Sequence, residues 1–249
     1  FMGALLGKYK KVTMSLPGGC SIGARPINLH LKGFEALGAK VTNKDNCYIV
    51  EADELKGNNI YLDFASDVAT INIMIAAVKA KGKTIIDNAA KEPEIVNVAT
   101  LLNYMGAKIR GAGTSSIEIE GVDYLGKCFH EVIPDRIEAG TYVILGAAVG
   151  ENLKVDNIIP EHIESLTSKL EEIGAFLDIG SDYIIVSRQD NYKSIHVKTQ
   201  TYPGFPTDLQ QPLTPLLTAC KGQSKIEETI YENRFMHIPY LNSMGADIR

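Results

Sequence analysis

Four Gly-Ala pairs set the period of this chain: Gly38-Ala39, Gly106-Ala107, Gly174-Ala175 and Gly245-Ala246, spaced by 68, 68 and 71 residues. Each closes a helix-like run, Phe34 to Leu37, Leu101 to Met105, Leu170 to Ile173 and Leu241 to Met244. Each then opens a strand-like stretch, beginning at Lys40-Val41, Lys108-Ile109, Phe176-Leu177 and Asp247-Ile248. Glycine suits the position just past a helix, where the backbone turns left-handed. A second pattern recurs in step. Met2 to Leu6, Ile71 to Val78, Thr141 to Val149 and Leu213 to Cys220 read as helices. A glycine follows each (Gly7, Gly82, Gly150, Gly222), and then a strand at Lys11-Val12-Thr13, Thr84-Ile85-Ile86, Leu153-Lys154-Val155 and Lys225-Ile226-Glu227.

Two further strand-like runs close a repeat: Ser116 to Glu120 then Cys128 to Ile133, and Tyr183 to Ser187 then Ser194 to Lys198. The Ile/Glu alternation of Ser116 to Glu120 is the period of a half-buried strand. The repeat is therefore β-α-β-α-β-β, and the fold class expected is α+β. Amphipathic repeats need neighbours to cover them, so paired repeats make a natural domain. The junction Ile133-Pro134-Asp135 divides the chain into an expected first domain, 1–133, and second, 134–249. The first repeat is entered part-way and the fourth breaks off at Ile248-Arg249, so the chain reads as a part of something longer. Ser66-Asp67, Asp135 and Thr207-Asp208 stand where N-caps are expected.

Composition excludes several classes. Net charge is −5 and the basic residues are scattered, so nucleic acid is not an expected partner. Cys20, Cys47, Cys128 and Cys220 lie far apart without a CxxC pair, which argues against a zinc site or a disulfide scaffold and for a reducing cytoplasm. The five histidines show no metal-ligand spacing, and no apolar run reaches a membrane span. No metal, cofactor or membrane partner is expected.

Chemistry points to the loops. Ser15-Leu16-Pro17-Gly18-Gly19-Cys20-Ser21-Ile22-Gly23-Ala24-Arg25-Pro26 holds three glycines and two prolines, so it is neither helix interior nor central strand. Its open backbone beside Arg25 suits an anion such as phosphate, and a thiol beside a fixed cation can move a proton near neutral pH. On spacing alone Cys20 reads more readily as a small buried apolar side chain than as a catalyst. Asp87 to Glu94 is a polar strand-to-helix loop. Tyr202-Pro203-Gly204-Phe205-Pro206-Thr207-Asp208 is a proline-stiffened approach that either caps a helix with Asp208 or aims its carboxylate at a ligand. Glu232 to His237 places Arg234 in the loop equivalent to that of Arg25; each arginine reads as an anion ligand or a surface ion pair.

Together, Leu16 to Pro26, Ala89-Ala90-Lys91-Glu92-Pro93-Glu94-Ile95, Phe205-Pro206-Thr207-Asp208 and Glu232-Asn233-Arg234-Phe235-Met236-His237 resemble the UDP-N-acetylglucosamine 1-carboxyvinyltransferases. The likeness spans the whole chain. The cysteine loop argues against the related enolpyruvylshikimate phosphate synthases. The resemblance implies two α/β prisms (inside-out α/β barrels) with a cleft between them. It implies metal-free transfer of the enolpyruvyl group of phosphoenolpyruvate to the 3′-hydroxyl of UDP-N-acetylglucosamine, with release of phosphate, at the start of peptidoglycan precursor synthesis. By resemblance Cys20 is the acid toward the methylene carbon and Asp208 the base at the sugar hydroxyl. Arg25 binds phosphate, and Arg25, Pro26, Ile27, Asn28 and Leu29 line the nucleotide with Ser66. Ile230 offers a backbone contact and Arg234 faces the anionic donor. A catalytically inactive nucleotide-sugar binder with a regulatory role is the alternative. Asn28 stands where many relatives carry aspartate, and Ser66-Asp67-Val68 replaces a Ser-Val-Gly, which brings Asp67 near an anionic nucleotide unless it points to solvent. The family's amino-terminal Lys-Asn motif and carboxy-terminal arginine have no counterpart, so these 249 residues alone are expected to lack turnover.

Overall fold

The computed structural model describes residues 1–15, 18–19, 22–23 and 26–249. The chain divides after Ile133 into two compact units, and Ile22 and Gly23 group with the second. This differs from a first domain holding the whole glycine-rich loop. The Asn233 N–H donates to the Ile22 carbonyl at 3.0 Å. Gly23, at φ 152°, runs so close to Glu232 that a Cβ would come within 2.5 Å of its Oε2.

The first unit runs α1 (Met2–Tyr9), β1 (Lys11–Ser15), α2 (Asn28–Ala36), β2 (Lys40–Lys44), β3 (Cys47–Glu51) and β4 (Asn59–Tyr61). It continues with α3 (Asp67–Ala77), β5 (Lys83–Asp87), α4 (Pro93–Tyr104), β6 (Lys108–Arg110) and β7 (Ser116–Glu120). The second unit holds α5 (Arg136–Val149), β8 (Leu153–Asp156), α6 (Glu164–Ile173), β9 (Leu177–Ile179), β10 (Tyr183–Val186) and β11 (His196–Lys198). It ends with α7 (Gln210–Thr218), β12 (Lys225–Glu227) and α8 (Ile238–Ser243).

All four Gly-Ala pairs end a helix in one way. Gly38, Gly106, Gly174 and Gly245 have φ between 90° and 103°. The alanine N–H that follows reaches back to Phe34, Leu102, Leu170 and Leu241 at 2.9, 2.9, 2.9 and 3.1 Å. This is the left-handed stop that satisfies carbonyls a helix end leaves open.

Strand order repeats as well. The first, third and second strands of a repeat lie side by side as β1-β3-β2, β5-β7-β6 and β8-β10-β9, all antiparallel. Neighbouring repeats are stitched by parallel pairs, β4 on β5 and β11 on β12. Cys128–Ile133, expected as a strand, is not one. Among the described residues no strand pairs with it, and Phe129 stands 91% exposed.

Each unit has its own core. In the first, α3 is mostly apolar (Ala69, Ile73, Met74, Ala76 and Ala77 are buried) and touches α1, α2 and α4. A mostly apolar helix belongs inside, and each fully buried Leu, Ile or Phe contributes about 1.5–3 kcal/mol. In the second, Val143, Leu166, Leu170, Ile184, Leu209 and Leu213 form the centre. Among the described residues no helix is long and apolar enough to cross a membrane, and no His, Cys, Asp and Glu cluster could hold a metal.

Candidate active site

Helix ends and strand ends place the candidate residues. In the first unit Pro26 is exposed, Ile27 is the N-cap of α2, and Asn28 and Leu29 form its first turn. Among the described residues no side chain caps that end. Ser66 caps α3, its Oγ accepting from Ala69 N at 3.4 Å. Lys32 on α2 pairs with Asp63, on the approach to Ser66, at 2.7 Å. Asp67 is exposed, and its carboxylate accepts from the Val68 N–H at 2.7 Å, so its charge sits in solvent. Cys20 and Arg25 lie outside the described residues, as do Leu16, Pro17, Ser21 and Ala24.

The second unit brings Asp208, Ile230 and Arg234 into one network. Asp135 caps α5 as expected, accepting from the Ile137 and Glu138 N–H groups at 2.8 and 3.1 Å. Thr207 and Asp208 cap nothing: Pro206 occupies the N-cap of the 3-10 turn Thr207–Leu209 that leads into α7. The Asp208 carboxylate instead takes a hydrogen bond from Arg234 Nη2, while Arg234 Nη1 donates to Thr207 Oγ1 at 3.1 Å. The Arg234 side chain is only 9% exposed and lies against the Tyr231 ring, whereas that of Asp208 is 54% exposed. A buried cation thus holds an accessible carboxylate. Asp208 is therefore not the helix cap that its position suggested, and Arg234 forms an ion pair that is buried on the arginine side rather than a surface one.

Glu228 and Thr199 were not singled out from the sequence. Glu228 Oε1 accepts from Thr199 Oγ1 at 2.9 Å, Ile230 N at 2.8 Å and Tyr231 N at 3.3 Å; its Oε2 accepts from Thr207 Oγ1 at 2.8 Å. Strand alternation offered the signal: Glu228 shares a face with Ile226, so a carboxylate follows on the apolar side of β12. Further along, His237 Nε2 lies 3.3 Å from Thr214 Oγ1, and burial lowers the histidine's pKa.

The described residues thus form a repeated mixed α/β fold whose second unit carries an arginine-held, accessible carboxylate. The family model described as EPSP synthase (3-phosphoshikimate 1-carboxyvinyltransferase) matches residues 1–249, and the chain belongs to that family. It is 58% identical over 248 residues to UDP-N-acetylglucosamine 1-carboxyvinyltransferase 2 of Shouchella clausii (strain KSM-K16), and 58% to that of Listeria monocytogenes (serovar 1/2a). All of this chain aligns, against 58% and 59% of those relatives, so it spans about three fifths of their length. Among solved structures, the enolpyruvyl transferase NikO from Streptomyces tendae superposes with TM-score 0.85 at 21% identity, covering 98% of this chain and 58% of that one. EPSP synthase from Acinetobacter baumannii gives 0.58 at 22%, covering 90% and 54%. These two likenesses speak to the fold.

Proposed function

We propose that the whole protein containing this chain transfers the enolpyruvyl group of phosphoenolpyruvate to the 3′-hydroxyl of UDP-N-acetylglucosamine, in the cytoplasm, for peptidoglycan precursor synthesis. On this reading each unit is part of an α/β prism and the chain passes from one domain to the next after Ile133. Asp208 takes the proton of the hydroxyl as its oxygen bonds to C2 of the donor, and Cys20 gives a proton to C3. In the second step phosphate leaves C2 while the Cys20 thiolate takes back a proton from the C3 methyl group, which forms the enol ether. Arg25, Pro26, Ile27, Asn28, Leu29 and Ser66 hold the nucleotide, with Arg25 also facing phosphate. The Ile230 backbone contacts the sugar and Arg234 fixes Asp208 beside the anionic donor.

The observation that carries this reading is an accessible Asp208 carboxylate gripped by a buried Arg234, with Ile230 in the same network. General-base work needs that combination of fixed direction and open face. The test is phosphate release from phosphoenolpyruvate dependent on UDP-N-acetylglucosamine, with the product mass gaining the enolpyruvyl group. Asp208→Asn should lower kcat by about 10²–10⁴-fold, and fosfomycin should add covalently to Cys20. A protein that binds the nucleotide sugar but transfers nothing would overturn it.

A further inference from the structure

The carboxylate of Glu228 is the centre of the second unit's polar network, yet nothing in the roles above uses it. It gathers three separate segments: Thr199 after β11, Thr207 before α7, and the Ile230–Tyr231 backbone after β12. Thr199 is itself fully buried, and its hydroxyl also accepts from Thr229 N at 2.9 Å. The equivalent position beyond β5 is Asn88, whose side chain makes one bond, Nδ2 to the Leu62 carbonyl at 2.7 Å. A carboxylate that collects four donors at this corner does something that strand stitching does not require.

A carboxylate only accepts, so the Thr207 hydroxyl gives it its single hydrogen and turns its lone pairs to Arg234 Nη1. Arg234 is thereby fixed with Nη1 on Thr207 and Nη2 on Asp208. The geometry points to Glu228 as a positioning residue: through Thr207 and Arg234 it sets the direction of the Asp208 carboxylate, and through the Ile230 N–H it sets the backbone expected to meet the sugar. This rests on the function proposed above. With Glu228→Gln, the amide oxygen can keep the donors on the Oε1 side while the NH₂ faces Thr207 and removes the acceptor for its hydrogen. The Arg234 to Asp208 direction loosens while the Ile230 contact stays.

The experiment is steady-state kinetics on the whole protein, with thermal midpoints measured alongside. Glu228→Gln and Thr207→Val should each lower kcat about 10–10²-fold, as for a displaced catalytic group, with KM for the nucleotide sugar held within about threefold. The double variant should be no slower than the worse single one, because both break one chain of bonds. Thr207→Ser should recover most of the turnover that Thr207→Val loses. Losses that multiply in the double variant, or kcat within about twofold of wild type in Thr207→Val, would overturn the inference even if Glu228→Gln fails to fold. A wild-type protein without transfer overturns the functional reading, and this inference with it; an active wild type with indifferent variants overturns the inference alone.

Discussion

The two parallel stitches, β4 on β5 in the first unit and β11 on β12 in the second, share a backbone and differ in what fills the corner beyond them. In both, the residue after the fourth strand of a repeat bonds to the end of the next repeat's opening strand: Leu62 N to Asp87 O at 3.0 Å, and Thr199 N to Glu227 O at 2.9 Å. Leu62 is buried and apolar, Asn88 turns left-handed to close the loop, and Ala89 and Ala90 pack beneath. Thr199, Glu228 and Thr229 replace them with hydroxyls and a carboxylate. Burial of the Thr199 hydroxyl is tolerable because it finds partners in Glu228 and the Thr229 N–H. One backbone solution therefore serves as packing in one place and as a scaffold for charge in the other.

The stitches also differ one step earlier, and that difference gives the largest effect expected from a single substitution outside the site. Gly57 N bonds to Lys81 O at 2.8 Å, and Ser194 N to Lys221 O at 3.1 Å, so the two are equivalent. A Cβ on Gly57 would lie 2.3 Å from the Lys83 carbonyl oxygen, which is backbone and cannot swing away. In the second unit β12 begins only at Lys225, and a side chain fits. Gly57→Ser should destabilise the protein by about 1–3 kcal/mol, as overpacking does. Ser194→Gly should cost about 0.5–1 kcal/mol through backbone entropy. Urea unfolding of both variants measures the contrast; equal losses would dissolve the distinction between the stitches.

The period was legible because its marks are local: a left-handed glycine is demanded by the backbone itself, wherever the helix packs. Asp135 and Ser66 were legible as caps for the same reason. Asp208 was ambiguous, since Thr-Asp before a helix reads as a cap until Arg234, 26 residues on, is seen to claim the carboxylate. Glu228 was missed because its importance lies in two partners distant in sequence, Thr199 and Thr207, although its place on the Ile226 face was there to read. Cys128–Ile133 failed for a related reason: strand character in a sequence does not supply an edge to pair with.

Asn88 sharpens the comparison with a smaller effect. It holds φ 54°, and Asn157, after β8, takes the same value, so two repeats close this corner left-handed. Asn88→Ala should cost about 1–2 kcal/mol, from the lost bond to Leu62 O together with alanine's poorer tolerance of the left-handed region, which asparagine visits more readily. Asn88→Gly should cost less than Asn88→Ala, because glycine removes the backbone part and leaves only the lost bond of about 1 kcal/mol. Urea midpoints in the order wild type, glycine, alanine are expected; alanine matching glycine would mean that conformation at this corner carries no cost.

The smallest effect expected is a pH dependence shared by both units. His30, beside Asn72 Nδ2 at 3.0 Å, and His237, on the loop that Glu228 begins, are both pushed below the ordinary histidine value of 6.5, burial being the main cause in each. Asp67 opposes the shift at His30, as does a hydrogen bond to the Arg234 backbone at His237. A lowered pKa means that the unfolded chain takes up the proton first. The stabilising contribution of each neutral imidazole is therefore complete above about pH 6.5 and is lost as pH falls through that value toward the folded-state pKa. The slope cannot exceed about 1.4 kcal/mol per pH unit for each histidine, and partial exposure keeps His237 beneath that ceiling. Urea midpoints at about pH 7.5 and about pH 5.5 should fall for the wild type, and by less for His30→Gln and for His237→Gln. If only one substitution flattens the acid slope, the two units differ in how dry they keep an imidazole, and the contrast drawn at the stitches extends to their helices.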